Sequence, residues 1–183
     1  MTIAYFDLIG GAAGDMLLGA LIDAGAPLAP LHDLMRSLSI ESLKLNVHNE
    51  IRQYLNVTRV SFEAPTEQPH RHLKDVIELI EASSLAPGLV EQACRVFATL
   101  ADAEAQVHGM SPEEVHFHEV GAVDSIADVV GVVAALDSLG VTSLEASPLP
   151  VCRGVIRGAH GKIPLPAPAV LRIAEAGRAP LEG

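Results

Sequence analysis

The apolar positions change period several times along the chain, and each change predicts an element. Residues 3–9 form a short apolar run that stops at Gly10-Gly11, the pattern of a buried strand. Gly14-Asp15 follows. Residues 16–24 are rich in Leu and Ala and apolar nearly all round, which predicts a helix buried on most sides and ended by Gly25 and Pro27. Residues 31–38 fit another helix. Leu43, Leu45 and Val47 then alternate with polar residues, and so do Thr58, Val60 and Phe62 within residues 56–63. These two runs read as antiparallel strands joined near residues 51–55.

A polar loop with two prolines, residues 64–71, separates this half from the next. Leu73, Val76, Ile77 and Ile80 match the i, i+3, i+4, i+7 helix spacing in full. Leu89, Ala93, Val96, Phe97, Leu100 and Glu104 mark a second helix that ends near Gly109. Ser111-Pro112-Glu113-Glu114 reads as a helix start or a turn, and residues 115–120 as a short extended piece. Asp124 or Ser125 is placed to cap a helix over residues 126–139, with Gly140 ending it. Residues 143–146 and 154–157 suggest short strands, the prolines of 164–168 stiffen the chain, and a last helix covers about residues 169–176. The expectation is one α/β domain over residues 1–183, with a mixed sheet, helices packed against it, and an aliphatic core of Ala, Leu and Val.

Composition narrows what such a domain does. The chain has 183 residues, no Trp and a formal net charge of −11, so a nucleic-acid groove and an anionic membrane surface are both disfavoured. A nucleotide-type small molecule is not excluded, because backbone N–H groups and one or two basic residues can hold it. The most apolar stretch, residues 125–139, is too short to cross a bilayer and contains Asp128 and Asp137. The first residues carry no signal-peptide pattern, and Cys94 and Cys152 imply no disulfide framework. A soluble, cytoplasmic protein is expected.

Five segments carry candidate chemistry. His116-Phe117-His118-Glu119 puts two imidazoles on one face of an extended chain, able to converge on one ion. The alternative is a pair of partly exposed strand histidines. Asp124 and Asp128 are one helical turn apart, and Asp128 lies in a run of Val and Ala where a carboxylate needs a compensating partner. The alternatives are an N-cap for Asp124 and a solvated helix edge for Asp128. His70-Arg71-His72 could join the first segment in space, with Arg71 holding a phosphate or carboxylate; it could equally be a solvated loop. Asp7, at the end of a strand, leads into Gly10, Gly11, Gly14 and Asp15, a strand–loop–helix arrangement that in principle binds anions. The loop is neither a Walker A loop nor a dinucleotide fingerprint, and its acids would repel phosphate unless a cation intervenes. His160-Gly161, with Cys152 and Arg153 nearby, is a fifth candidate or a structural connection. Eight histidines with acids at element ends is a composition suited to a divalent-metal site.

The strings YFD, GDMLLGALIDAG, HRHLKDV, VHFHEVGAVDSIADVVG, SPLPVCRG and HGKIPLPAPAVL, in this order and spacing, resemble the successive signatures of LarC-type nickel-insertion proteins. The resemblance implies nickel insertion into pyridinium-3,5-bisthiocarboxylic acid mononucleotide, with formation of a carbon–nickel bond. The product is the nickel-pincer cofactor of lactate racemase and related enzymes, and the reaction uses CTP with Mg2+ or Mn2+. On the residue reading, His116, His118 and Glu119 are the expected metal cluster, with Asp7, His72 and His160 as further ligands. Asp124 and Asp128 are then the catalytic carboxylates, and Gly10, Gly11, Gly14, Asp15 and Arg71 contact the nucleotide. The family is about twice this long; this chain resembles its N-terminal portion, and the C-terminal portion linked to CTP is the expected partner. The family loop usually carries serines where this chain has Gly10 and Ala13. Homo-oligomerisation stays open. The rival readings are a non-catalytic nickel-delivery module and a metal-dependent hydrolase.

Overall fold

A computed structural model of the chain describes residues 1–65, 69, 71–117, 122–158 and 161–183. The first half runs β1 (Thr2–Phe6), α1 (Gly14–Asp23), α2 (Leu28–Ser37), β2 (Lys44–Arg52) and β3 (Leu55–Glu63). The middle runs β4 (Arg71–His72), α3 (Leu73–Glu81), α4 (Pro87–His108), a 3-10 turn (Pro112–Glu114) and β5 (His116–Phe117). The last part runs α5 (Val123–Ser138), β6 (Val141–Ala146), β7 (Leu149–Pro150), β8 (Gly154–Gly158), β9 (Gly161–Leu165), α6 (Pro168–Ala176) and β10 (Leu181–Glu182).

The fold is α/β with mixed pairing. Among the described residues the strands pair as five two-stranded ladders. β1 with β6 and β7 with β10 are parallel; β2 with β3, β4 with β5 and β8 with β9 are antiparallel. Pro148, Pro150 and Pro164 have no N–H to donate, which helps to keep the late ladders short. The β2–β3 hairpin is the most regular piece, with Lys44 opposite Glu63 and Arg52 opposite Leu55. Its two-residue loop, Gln53-Tyr54, has positive φ at both positions, as a hairpin turn that follows strand twist requires.

The core forms where the helices meet. Phe97, Leu18, Met35, Leu38, Ile80, Ile126 and Val130 are fully buried. Helix α5 crosses α1 and α2, and the crossing is tight because Gly131 has no side chain: a Cβ there would lie 2.9 Å from Leu18 Cδ2. Phe97 on α4 meets Phe117 edge-on, ring centroids 6.2 Å apart, and so anchors β5 to the core.

Two expectations need correction. Helix α5 begins at Val123 with Ala122 as N-cap, so Asp124 is not a cap but lies inside the first turn, where its Oδ1 accepts from the Ser125 N–H at 2.9 Å. Strand β9 occupies a stretch that the prolines suggested was only a stiff connection. Pro164 is opposite Val155 in an antiparallel pair, a position on a two-stranded edge where a missing donor is tolerated.

Candidate functional site

The loop after β1 and the N-termini of α1 and α5 build an acidic node. The Ser147 N–H donates to the Phe6 carbonyl and the Leu8 N–H to Ser147 Oγ, which ties the loop's start to the end of β6. Gly11 turns it with φ +90°. Gly14, the first residue of α1, then comes so close to α5 that a Cβ on it would lie 2.5 Å from Asp128 Cβ. That approach brings the Asp15 backbone N–H to the Asp128 carboxylate, while Asp128 Oδ1 is buried with no hydrogen-bond partner among the described residues.

Burial, followed by the negative charges of Asp15 and Asp124, raises the Asp128 carboxyl from its ordinary 3.8 to about 7; the Asp15 N–H opposes the shift. The native state therefore holds a proton that the unfolded chain has lost throughout that interval. Stability contributed by this proton is present at low pH and falls as the pH rises from about 4 to about 7. Discounted for the carboxyl's partial exposure, the loss is about 1–2 kcal/mol. Asp128→Asn should remove it: urea unfolding near pH 4 should match the parent, and the variant should be the more stable near pH 8. Equal pH slopes for the two proteins would refute an elevated Asp128 pKa.

A second cluster comes from distant segments. The antiparallel β4–β5 pair sets His72 opposite His116 and Arg71 opposite Phe117. The two imidazoles are 4.0 Å apart between centroids and tilted by 46°. His72 Nδ1 is 3.2 Å from the Val115 carbonyl. A carbonyl only accepts, so Nδ1 must carry the proton, and the Nε2 lone pair is left for a ligand. The His72 N–H is held by Asp75 Oδ2 at 2.8 Å where α3 starts. His116 is exposed and His72 half-buried, an arrangement that one ion could approach from solvent.

The other candidates are more scattered. Asp7 is exposed just beyond β1. Gly10 and Gly11 form the turn, and Asp15 Oδ1 accepts from the Met16 N–H at 2.8 Å. Two first-turn donors of α1, the N–H groups of Asp15 and Met16, are therefore already engaged by carboxylates. That leaves fewer donors for a phosphate than the strand–loop–helix pattern suggests. Arg71 is half-buried, and its desolvation is partly offset by Asp75. His118, Glu119, His160 and His70 lie outside the described residues. Among the described residues no group of three or more His, Cys, Asp or Glu side chains could hold a metal ion.

Sequence reasoning missed a cavity of about 430 Å³ between the C-terminal half of α4, the β8–β9 hairpin and the start of α6, with His116 on its wall. It also passed over Glu104 and His108, whose side chains approach to 3.5 Å across one helical turn. Their i, i+4 spacing was the available signal.

Comparison with known proteins places these features in a lineage. A family model described as nickel insertion protein matches residues 4–182. The chain is 48% identical over 179 residues to a protein named for nickel insertion from Roseiflexus castenholzii, covering 98% of this chain and 45% of that one. It is 49% identical over 183 residues to one from Thermomicrobium roseum, covering 99% and 45%. It is 47% identical over 173 residues to the pyridinium-3,5-bisthiocarboxylic acid mononucleotide nickel insertion protein of a Nocardioides species, covering 94% and 44%. The chain thus spans a little under half the length of these relatives. No solved structure matches it. With a family model covering nearly its whole length, the chain belongs to the nickel insertion protein family.

Proposed function

We propose that this chain is the metal-handling portion of a system that inserts nickel into pyridinium-3,5-bisthiocarboxylic acid mononucleotide. One observation carries the reading: the fold pairs His72 with His116 across two strands that 43 residues separate. His72 also has its Nδ1 proton engaged by a carbonyl, the arrangement that orients an imidazole toward a metal. His118, Glu119, His160 and Asp7 are the further ligands we assign, and the substrate's own sulfur atoms suit nickel as soft donors.

Forming a carbon–nickel bond at an aromatic C–H position releases a proton. Asp128, whose carboxyl is raised to about 7, and Asp124, whose charge contributes to that shift, are the carboxylates we assign to proton handling in the complete system. In this reading the product is the nickel-pincer cofactor of lactate racemase-type enzymes, and the complete system is a CTP-dependent nickel insertase of lyase type in the cytoplasm. No helix among the described residues is long and apolar enough to cross a membrane.

We assign CTP and its Mg2+ or Mn2+ to the C-terminal portion that the longer relatives possess, acting as this chain's partner. We favour a nickel-binding module that works with that portion over an insertase acting alone, because what this chain brings together is a histidine pair.

Calorimetric titration with nickel tests the assignment. The His72→Ala/His116→Ala pair should weaken nickel binding about tenfold or more, with an unchanged circular dichroism spectrum. Affinity equal to the parent's would remove the two histidines from the site.

A further inference from the structure

The cavity beside His116 has no role so far. Its volume, about 430 Å³, lies within the roughly 300–1,000 Å³ typical of small-molecule sites. The wall is largely apolar and includes Val107 on α4 and Ile156 on β8, the make-up that holds a flat ring by dispersion. Among the described residues only four charged or titratable side chains lie on that wall. Glu104 and His108 stand together on α4, Lys162 comes from β9, and His116 belongs both to the cavity and to the histidine pair. Among the described residues Lys162 makes no ion pair, in a chain whose net charge is −11. The first turn of α6, which no side chain caps, lies on the same wall.

We infer that this cavity is the binding site for the pyridinium mononucleotide, an inference that rests on the proposed function. The ring packs between Val107 and Ile156, with its positive charge on the side of Glu104. The phosphate meets Lys162. The edge of the ring that receives the metal faces His116, so that ion and acceptor meet at one residue. The charges are complementary at the ring nitrogen, a cation on the side of a carboxylate, and at the phosphate, an anion meeting an ammonium, while the two anionic thiocarboxylates flank the edge that receives the ion. The site accounts for a cation and a cavity that nickel handling by the histidines does not use.

Nicotinic acid mononucleotide, which has the same pyridinium ring, ribose and phosphate, is the probe. It is titrated by calorimetry into the 183-residue chain, alongside its dephosphorylated riboside. The parent should bind the mononucleotide more tightly than the riboside. Val107→Trp, at a partly exposed helix position, fills the cavity and should weaken both about tenfold or more. Lys162→Glu should weaken the mononucleotide about tenfold and leave the riboside nearly unchanged. His72→Ala, which lies off the cavity wall, should leave probe binding intact while nickel binding falls. No binding of the probe at millimolar concentration, or equal binding by the Val107→Trp variant, overturns the assignment; the second result would move the probe to another surface. Probe binding without nickel binding would retain the cavity and discard the nickel function. Nickel binding without probe binding would do the reverse.

Discussion

Phe97→Ala should cost about 3–5 kcal/mol of unfolding free energy, the largest single loss expected in this chain. Phe97 is fully buried in the middle of α4, and its ring meets Phe117 edge-on. Truncation removes the transfer energy of a whole aromatic side chain and leaves a void that the packed helices around it close only in part. The effect does not stop at stability. Phe117 is the inward-facing half of β5, adjacent to His116 and opposite Arg71. Without its partner ring, β5 has less to hold it against α4, and the His72–His116 pair depends on β5 being in place. Urea unfolding should therefore show the stability loss. Nickel titration under conditions where the variant remains folded should show a second, smaller loss of affinity. Phe97→Leu, which refills most of the space, should recover the greater part of both. A variant as stable as the parent would mean that the α4–β5 contact is not part of the core.

Gly14→Ala is expected to cost about 1–3 kcal/mol although it adds one methyl group at an incompletely buried position. The new Cβ would lie 2.5 Å from Asp128 Cβ and 2.6 Å from its Cγ and Oδ2. In an exposed helix the same change would be stabilising, since Ala has the better helix propensity. Here α1 and α5 must separate or the Asp128 side chain must leave, and either movement breaks the hydrogen bond from the Asp15 N–H. Asp128→Ala in the same background keeps a Cβ at the point of conflict and should not restore stability, whereas Asp128→Gly should restore part of it. If Gly14→Ala were neutral or stabilising by thermal melting, the helices would not approach as closely as described. The same substitution should also lower the Asp128 pKa, because parting the helices admits water to the carboxylate.

Much of the local architecture follows from one-dimensional pattern. The i, i+3, i+4, i+7 run at Leu73, Val76, Ile77 and Ile80 fixes α3, because a 3.6-residue period leaves one face to bury. The alternation at Leu45 and Val47, and at Val60 and Phe62, fixes the β2–β3 hairpin, since period two leaves one face of a ladder apolar. Gly109 and Gly140 end α4 and α5 with positive φ, as their positions after the last apolar residue indicate. Asp128 was recognisable as unusual because a carboxylate among valines on a buried helix is costly wherever it lies. The family signatures are legible in the same way, being strings read along the chain.

Which distant residues meet was not legible, because side-chain period says which face is apolar and not what covers it. Nothing in HRH or HFH specifies that His72 faces His116; the β4–β5 pairing does that, and it depends on α4 folding back so that Phe97 can hold Phe117. The identity of Asp128's neighbours was equally hidden. Its carboxyl titrates near neutrality because Gly14 lets α1 come within contact of α5, bringing the Asp15 and Asp124 charges close and burying one oxygen. The cavity beside His116 is wholly a product of assembly, since α4, the β8–β9 hairpin and α6 each contribute one wall. The HFH segment alone could thus offer histidines to a metal. Only the packing of helices and short ladders decided which imidazole stands beside them and what space opens next to the pair.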